Sequence, residues 1–123
     1  MWFFNKKISE DALIGVWKHP INAGGGSFEI KKSDGTTSNH PFVVYNFEIF
    51  HFRSNKTFTF GEYSNSGPLY EVQGRWKLSS DKKRIDFSYD NGDTYSMDIR
   101  NFNGKSFITT SAQGSDFLFT KEQ

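Results

Sequence analysis

From residue 42 onward, apolar and polar side chains alternate in short runs, each cut from the next by turn-favouring residues. The runs cover residues 42–53, 57–63, 69–78, 84–90, 94–102, 105–111 and 115–121, and the cuts include Ser54-Asn55, Asn91-Gly92, Asn103-Gly104 and Gln113-Gly114. A period of two marks a strand with one buried face, and an Asn-Gly pair between two such runs marks a hairpin. The junctions are too short for the crossovers that parallel neighbours need, so the strands are antiparallel and consecutive. Before them, Ser9-Glu10-Asp11-Ala12-Leu13 reads as one helical turn, N-capped by Ser9 with two acids at its positive end. Residues 13–18 form the first strand, and residues 19–26 form a loop broken by Pro20 and Gly24-Gly25-Gly26. Residues 27–32 alternate again, and residues 33–41 are a polar connection turning at Asp34-Gly35. The count is eight or nine strands in a meander. Closure removes the exposed edges of such a sheet. The expected fold is therefore all-β, an antiparallel up-and-down barrel of about eight strands over residues 13–123, preceded by an N-terminal segment over residues 1–12.

Phase assigns the faces. Val43, Tyr45, Phe47 and Ile49 share one face, whereas Phe50 and Phe52 continue in the opposite phase. One slipped residue exchanges the faces of a strand, so a bulge or sharp bend is expected near Ile49-Phe50. The remaining inward set is Phe58, Phe60, Tyr70, Val72, Trp76, Leu78, then Ile85, Phe87, Tyr89, Tyr95, Met97, Ile99, and last Phe107, Phe117 and Phe119.

Composition sharpens this picture. Aromatic residues make up 18% of the chain and 14 residues are Phe, which implies an aromatic core. Lys+Arg is 15 against 14 for Asp+Glu, so no general affinity for nucleic acid is expected. There is no cysteine, which excludes disulfides and thiolate chemistry. The apolar start Met1-Trp2-Phe3-Phe4 is followed by lysines rather than preceded by them, and it is shorter than the roughly 7–15 apolar residues of a secretory signal. No run of about 20 apolar residues could span a bilayer as a helix. The chain reads as soluble and cytoplasmic, or as an envelope protein whose signal has been removed.

Gly15-Val16-Trp17, just after the helical turn, resembles the Gly-x-Trp start of lipocalins. With Leu13 ahead of it, the Phe-rich stretch 50–60, and Gly74-Arg75-Trp76-Lys77-Leu78 followed by Ser80-Asp81, the pattern is similar to compact bacterial lipocalin-like domains. That resemblance covers nearly the whole chain. It implies a calycin-type barrel in which Trp17 closes one end, with Gly15, Gly74 and Trp76 as further structural motif residues.

Candidate chemistry is sparse. His19, His40 and His51 lack metal-ligand spacing, and Asp90-Asn91-Gly92-Asp93 is what a type I′ turn and its flanks contain. Asp86 and Asp98 sit at outward positions. No Gly-x-Ser-x-Gly occurs, and the three glycines at 24–26 precede no helix. No enzyme activity, cofactor or metal is expected. The barrel interior is the remaining candidate site, since eight strands leave room for side chains or one small ligand. Tyr45, Phe47, Phe58, Tyr70, Trp76, Phe87, Tyr89 and Tyr95 are the expected ligand-facing residues, the tyrosines supplying polar tips. A ligand burying about 300 Å² of apolar surface gains roughly 7 kcal/mol, against association costs on the order of 4–15 kcal/mol. Polar anchors are therefore needed. The expected function is non-catalytic binding of a small apolar or amphipathic molecule, with a filled barrel that docks a protein partner as the alternative.

Overall fold

The computed structural model describes residues 8–122. A short helix, α1 (Glu10–Leu13), leads into β1 (Gly15–Lys31), β2 (Thr37–Phe52), β3 (Thr57–Ser64) and β4 (Gly67–Leu78). Then follow β5 (Arg84–Tyr89), β6 (Thr94–Asp98), β7 (Ser106–Thr110) and β8 (Asp116–Lys121). All pairings are antiparallel, and the order in the sheet is β6-β5-β4-β3-β2-β1-β8-β7. The strands run up and down into a nearly closed barrel. Two thin seams complete it. β8 meets β1 through Trp17↔Lys121 and Lys18↔Thr120, and β6 approaches β7 through the isolated Arg100↔Ile108 bridge. At the second seam the Asp98 carboxylate accepts from the Thr110 amide at 3.2 Å, a side chain standing in for part of a missing ladder.

One end of the barrel is plugged. Ser9 caps α1 by accepting from the Ala12 amide at 3.1 Å, and Leu13 is fully buried. Trp17 Nε1 donates to the Leu13 carbonyl at 2.8 Å, and its ring packs 5.0 Å from that of Phe107. Glu10 pairs with Lys56 and accepts from the Leu78 amide, and these contacts hold its carboxyl below the usual range. Above the plug, Phe52, Phe58, Trp76, Ile85 and Phe87 fill the interior.

Two expectations about β1 and β2 are corrected. Residues 19–26 are not a loop, because β1 runs unbroken from Gly15 to Lys31. Pro20 is tolerated because β1 pairs with β8 only at Trp17 and Lys18, so at Pro20 it has a strand neighbour on one side alone. Gly25 lets the two backbones approach closely, since a Cβ there would lie 2.5 Å from the Phe42 carbonyl oxygen. The bulge is not at Ile49-Phe50. β2 passes those residues in continuous register with both neighbours, and the irregularity lies in β1 between Asn22 and Gly24. With β2 unslipped, Phe50 and Phe52 are buried, so Val43, Tyr45, Phe47 and Ile49 lie on the outer face.

A further consequence is a ribbon. Beyond the barrel, residues 22–31 of β1 pair only with residues 37–45 of β2, a two-stranded arm about 30 Å long at ~3.3 Å per residue. Phe28, Ile30, Phe42, Val43, Val44 and Tyr45 are exposed along it. Among the described residues no helix is long and apolar enough to cross a membrane.

Candidate functional site

The unplugged end carries the candidate site. Cross-strand pairing fixes which side chains share its inner surface. His19 lies opposite Glu48, Glu48 opposite Glu62, and Glu62 opposite Tyr70, a polar row across four strands at the mouth. One level deeper, Trp17 lies opposite Phe50, Phe50 opposite Phe60, and Phe60 opposite Val72. Below that level the interior is solid, with Phe50 and Phe87 centroids 5.5 Å apart and Phe58 and Phe87 centroids 4.7 Å apart. Polar groups therefore ring an aromatic floor.

Two cavities open there and share Phe60 and Tyr89. One, of about 310 Å³, has Phe50, Met97 and Phe119 as its floor, with Glu48, Tyr95 and Thr109 among its walls. The other, of about 490 Å³, lies between Tyr70 and the β5–β6 turn, where Asp90 and Asp93 stand. The two cavities lie side by side over the apolar floor, with Phe60 and Tyr89 between them.

Several side chains at this lip are electrostatically marked. Burial pushes the Glu48 carboxyl above the usual range, His19 opposes that shift, and Glu62 adds to it. No hydrogen bond is among the influences on Glu48, whereas Glu62 accepts from Asn46 Nδ2 at 3.1 Å. Burial likewise raises Tyr70 and Tyr89, with Glu48 and Glu62 contributing at Tyr70. His19 is held by its Nδ1 donating to the Leu118 carbonyl at 2.9 Å and by an edge contact with Phe117 at 4.9 Å.

The expected ligand-facing residues divide into three groups. Tyr70, Tyr89 and Tyr95 converge on the mouth. Phe58, Trp76 and Phe87 are buried beneath it in the core, where Trp76 Nε1 donates to the Arg53 carbonyl at 3.2 Å. Tyr45 and Phe47 are corrected to the outer face: Tyr45 is exposed on the ribbon, and Phe47 lies under the Lys18 ammonium at 5.3 Å. Glu48, Thr109 and Phe60 are mouth residues that the expected set omitted. Glu48 was legible, since a continuous phase through β2 puts it in line with Phe50 and Phe52. Thr109 gave no signal, because a lone threonine in a short strand reads as an outward position.

No protein-family model and no curated protein matches the chain. Among solved structures it is similar to the NMR structure of a protein from Bacteroides thetaiotaomicron VPI-5482. The TM-score is 0.58 at 18% identity, over 98% of this chain and 98% of that one. At that identity the likeness shows the fold alone.

Proposed function

We propose that this chain is a lipocalin-like, non-catalytic barrel that binds a small amphipathic molecule at its unplugged end. The observation that carries the reading is the paired cavity over an apolar floor, ringed by Tyr70, Tyr89, Tyr95 and Glu48. Such a concave apolar site with a few converging polar groups is the usual form of a small-molecule site. The plugged end leaves the mouth as the way in. The test is a fluorescence titration with the neutral apolar probe N-phenyl-1-naphthylamine, comparing the native chain with Ala112→Trp. Ala112 is an exposed residue at the cavity wall, so an indole there stoppers the mouth without entering the core. The expected result is saturable one-to-one binding, weakened at least about tenfold by the stopper, a loss of about 1.4 kcal/mol. Absence of binding, or equal binding by the stoppered variant, refutes the proposal.

A second reading, self-association, is favoured by the ribbon. Four large apolar side chains on one face of it, Phe28, Ile30, Phe42 and Val44, are 39–51% exposed. At about 150–250 Å² for a large side chain, that face leaves on the order of 300 Å² of apolar surface per copy. A stable dimer buries about 800 Å² on each partner, and strand addition along an open ribbon edge supplies the rest. The occupant proposed is a second copy of this chain. Sedimentation equilibrium should show a dimer that Phe28→Glu with Val44→Glu converts to a monomer. A native chain that stays monomeric at about 100 µM, weaker than roughly 5 kcal/mol of association, rules this reading out.

A further inference from the structure

We infer that the mouth selects an amphipathic molecule whose head group is a cation, an amine or quaternary ammonium on an apolar body; this rests on the mouth being the ligand site proposed above. The first observation is the sign of the charges. Glu48, Asp90 and Asp93 line the two cavities, and no lysine or arginine does. The whole chain is almost balanced, with 15 basic and 14 acidic side chains, so a one-signed lining is not a by-product of composition. The nearby cations are engaged elsewhere. Lys18 pairs with Glu122 at 3.0 Å on the outer side, Arg100 pairs with Asp116 at 2.6 Å at the β6–β7 seam, and Lys121 lies over Trp17.

The second observation is the ladder. Glu48 and Glu62 are directly opposite on β2 and β3. Like charges facing each other across a strand pair are unfavourable. Asn46 satisfies one oxygen of Glu62, and no comparable donor serves Glu48. A cationic head group seated between them removes the repulsion and supplies the missing partner. Burial raises the Glu48 pKa even though His19, directly opposite, opposes the shift, so the histidine alone does not offset the desolvation of the carboxylate.

The third observation is aromatic. Phe60, Tyr70, Tyr89 and Tyr95 are aromatic residues that line the two cavities, Phe60 and Tyr89 shared by both, with Phe60 and Tyr70 centroids 6.4 Å apart. Ring faces attract ammonium groups, more strongly where water is partly excluded. An anionic head would meet three carboxylates with no lysine or arginine to receive it.

The experiment compares decyltrimethylammonium, decyl sulfate and decyl glucoside, each below its micelle concentration, by calorimetry on the native chain and on Glu48→Gln. The expected order places the ammonium at least about tenfold tighter than the sulfate, with the glucoside between. In Glu48→Gln the ratio of ammonium to sulfate affinity should fall at least about threefold, a change of roughly 0.7 kcal/mol. Equal binding of all three heads, or tighter binding of the sulfate, overturns the cationic selection while leaving the ligand cavity standing. No binding by any of them, with no binding of the neutral naphthylamine probe, overturns both.

Discussion

Gly74→Ala isolates what holds the mouth's far wall in place. Gly74 is buried and lies opposite Tyr89, where β4 passes β5. A Cβ built on it would sit 2.1 Å from the Ser88 carbonyl oxygen, 2.8 Å from Tyr89 Cα and 2.9 Å from Ser88 C. All three are backbone atoms, so no rotamer change relieves the clash. The strands must separate by more than about 1 Å to reach ordinary contact distance. Overpacking of this kind costs typically 1–3 kcal/mol. The parting also strains the bond from the Asp90 amide to the Gln73 carbonyl, 3.0 Å long, worth about 0.5–1.5 kcal/mol. The expected loss is about 2–4 kcal/mol, read by urea unfolding at unchanged slope. With a slope of about 2 kcal/mol/M, the midpoint falls by roughly 1–2 M. Because Tyr89 is shared by both cavities, probe affinity should fall in the same variant. A loss under about 0.5 kcal/mol would show that β4 and β5 part without cost, and the close-approach argument would be wrong.

Trp17→Phe removes the donor to the Leu13 carbonyl and part of a ring packed on Phe107. Orphaning that acceptor costs about 1–3 kcal/mol, and exchange of the Leu13 amide should speed up as α1 loosens; unchanged exchange would show that the indole does not hold the plug. For Glu48, burial raises the carboxyl pKa above the usual carboxylate range, so the stability it contributes is fully present below the unfolded pKa and is lost as pH rises through the folded pKa. Glu48→Gln should therefore be more stable than the native chain at pH 7, with the difference shrinking towards pH 4, measured by thermal melts; the opposite sign refutes the burial argument. Affinity for decyltrimethylammonium should rise over the same pH window as Glu48 ionises, with His19, Glu62 and Tyr70 facing it, and Glu48→Gln should flatten that rise.

Where the chain followed a plain alternating rule, its sequence was a sufficient guide. The Asn91-Gly92, Asn103-Gly104 and Gln113-Gly114 turns all join the strands they were expected to join, and Ser9 caps α1. The barrel's aromatic filling was legible for the same reason. The difficulty arose at β2, whose outer face is also apolar. Val43, Tyr45, Phe47 and Ile49 look like an inward set because polarity is the only cue to facing, and on this strand both faces lack it. The ribbon explains the first two, which lie beyond the barrel wall and have no interior to face. Phe47 and Ile49 are half covered, Phe47 by the Lys18 side chain and by its cross-strand partner Tyr63. The β1 segment at Pro20 and Gly24-Gly25-Gly26 misled for a different reason. Strand-breaking residues break a strand that has neighbours on both sides, and here β1 has only one.

Strand length explains why the site lies at the lip. β1 and β2 are 17 and 16 residues long, whereas β5 to β8 are 5 or 6 each. The short strands enclose the interior only as far as Tyr89, Tyr95 and Phe117, and up to that level Phe and Trp rings fill it. Above it, β1 to β4 continue as a wall with nothing opposite. The two mouth cavities form at the step between the two heights, where the inner faces of the long strands carry His19, Glu48, Glu62 and Tyr70. The aromatic abundance that fills the barrel's depth thus also confines these cavities to a shallow step. In the proposed binding mode water would still reach a head group at this depth, so the polar row would supply the discrimination that burial alone would not.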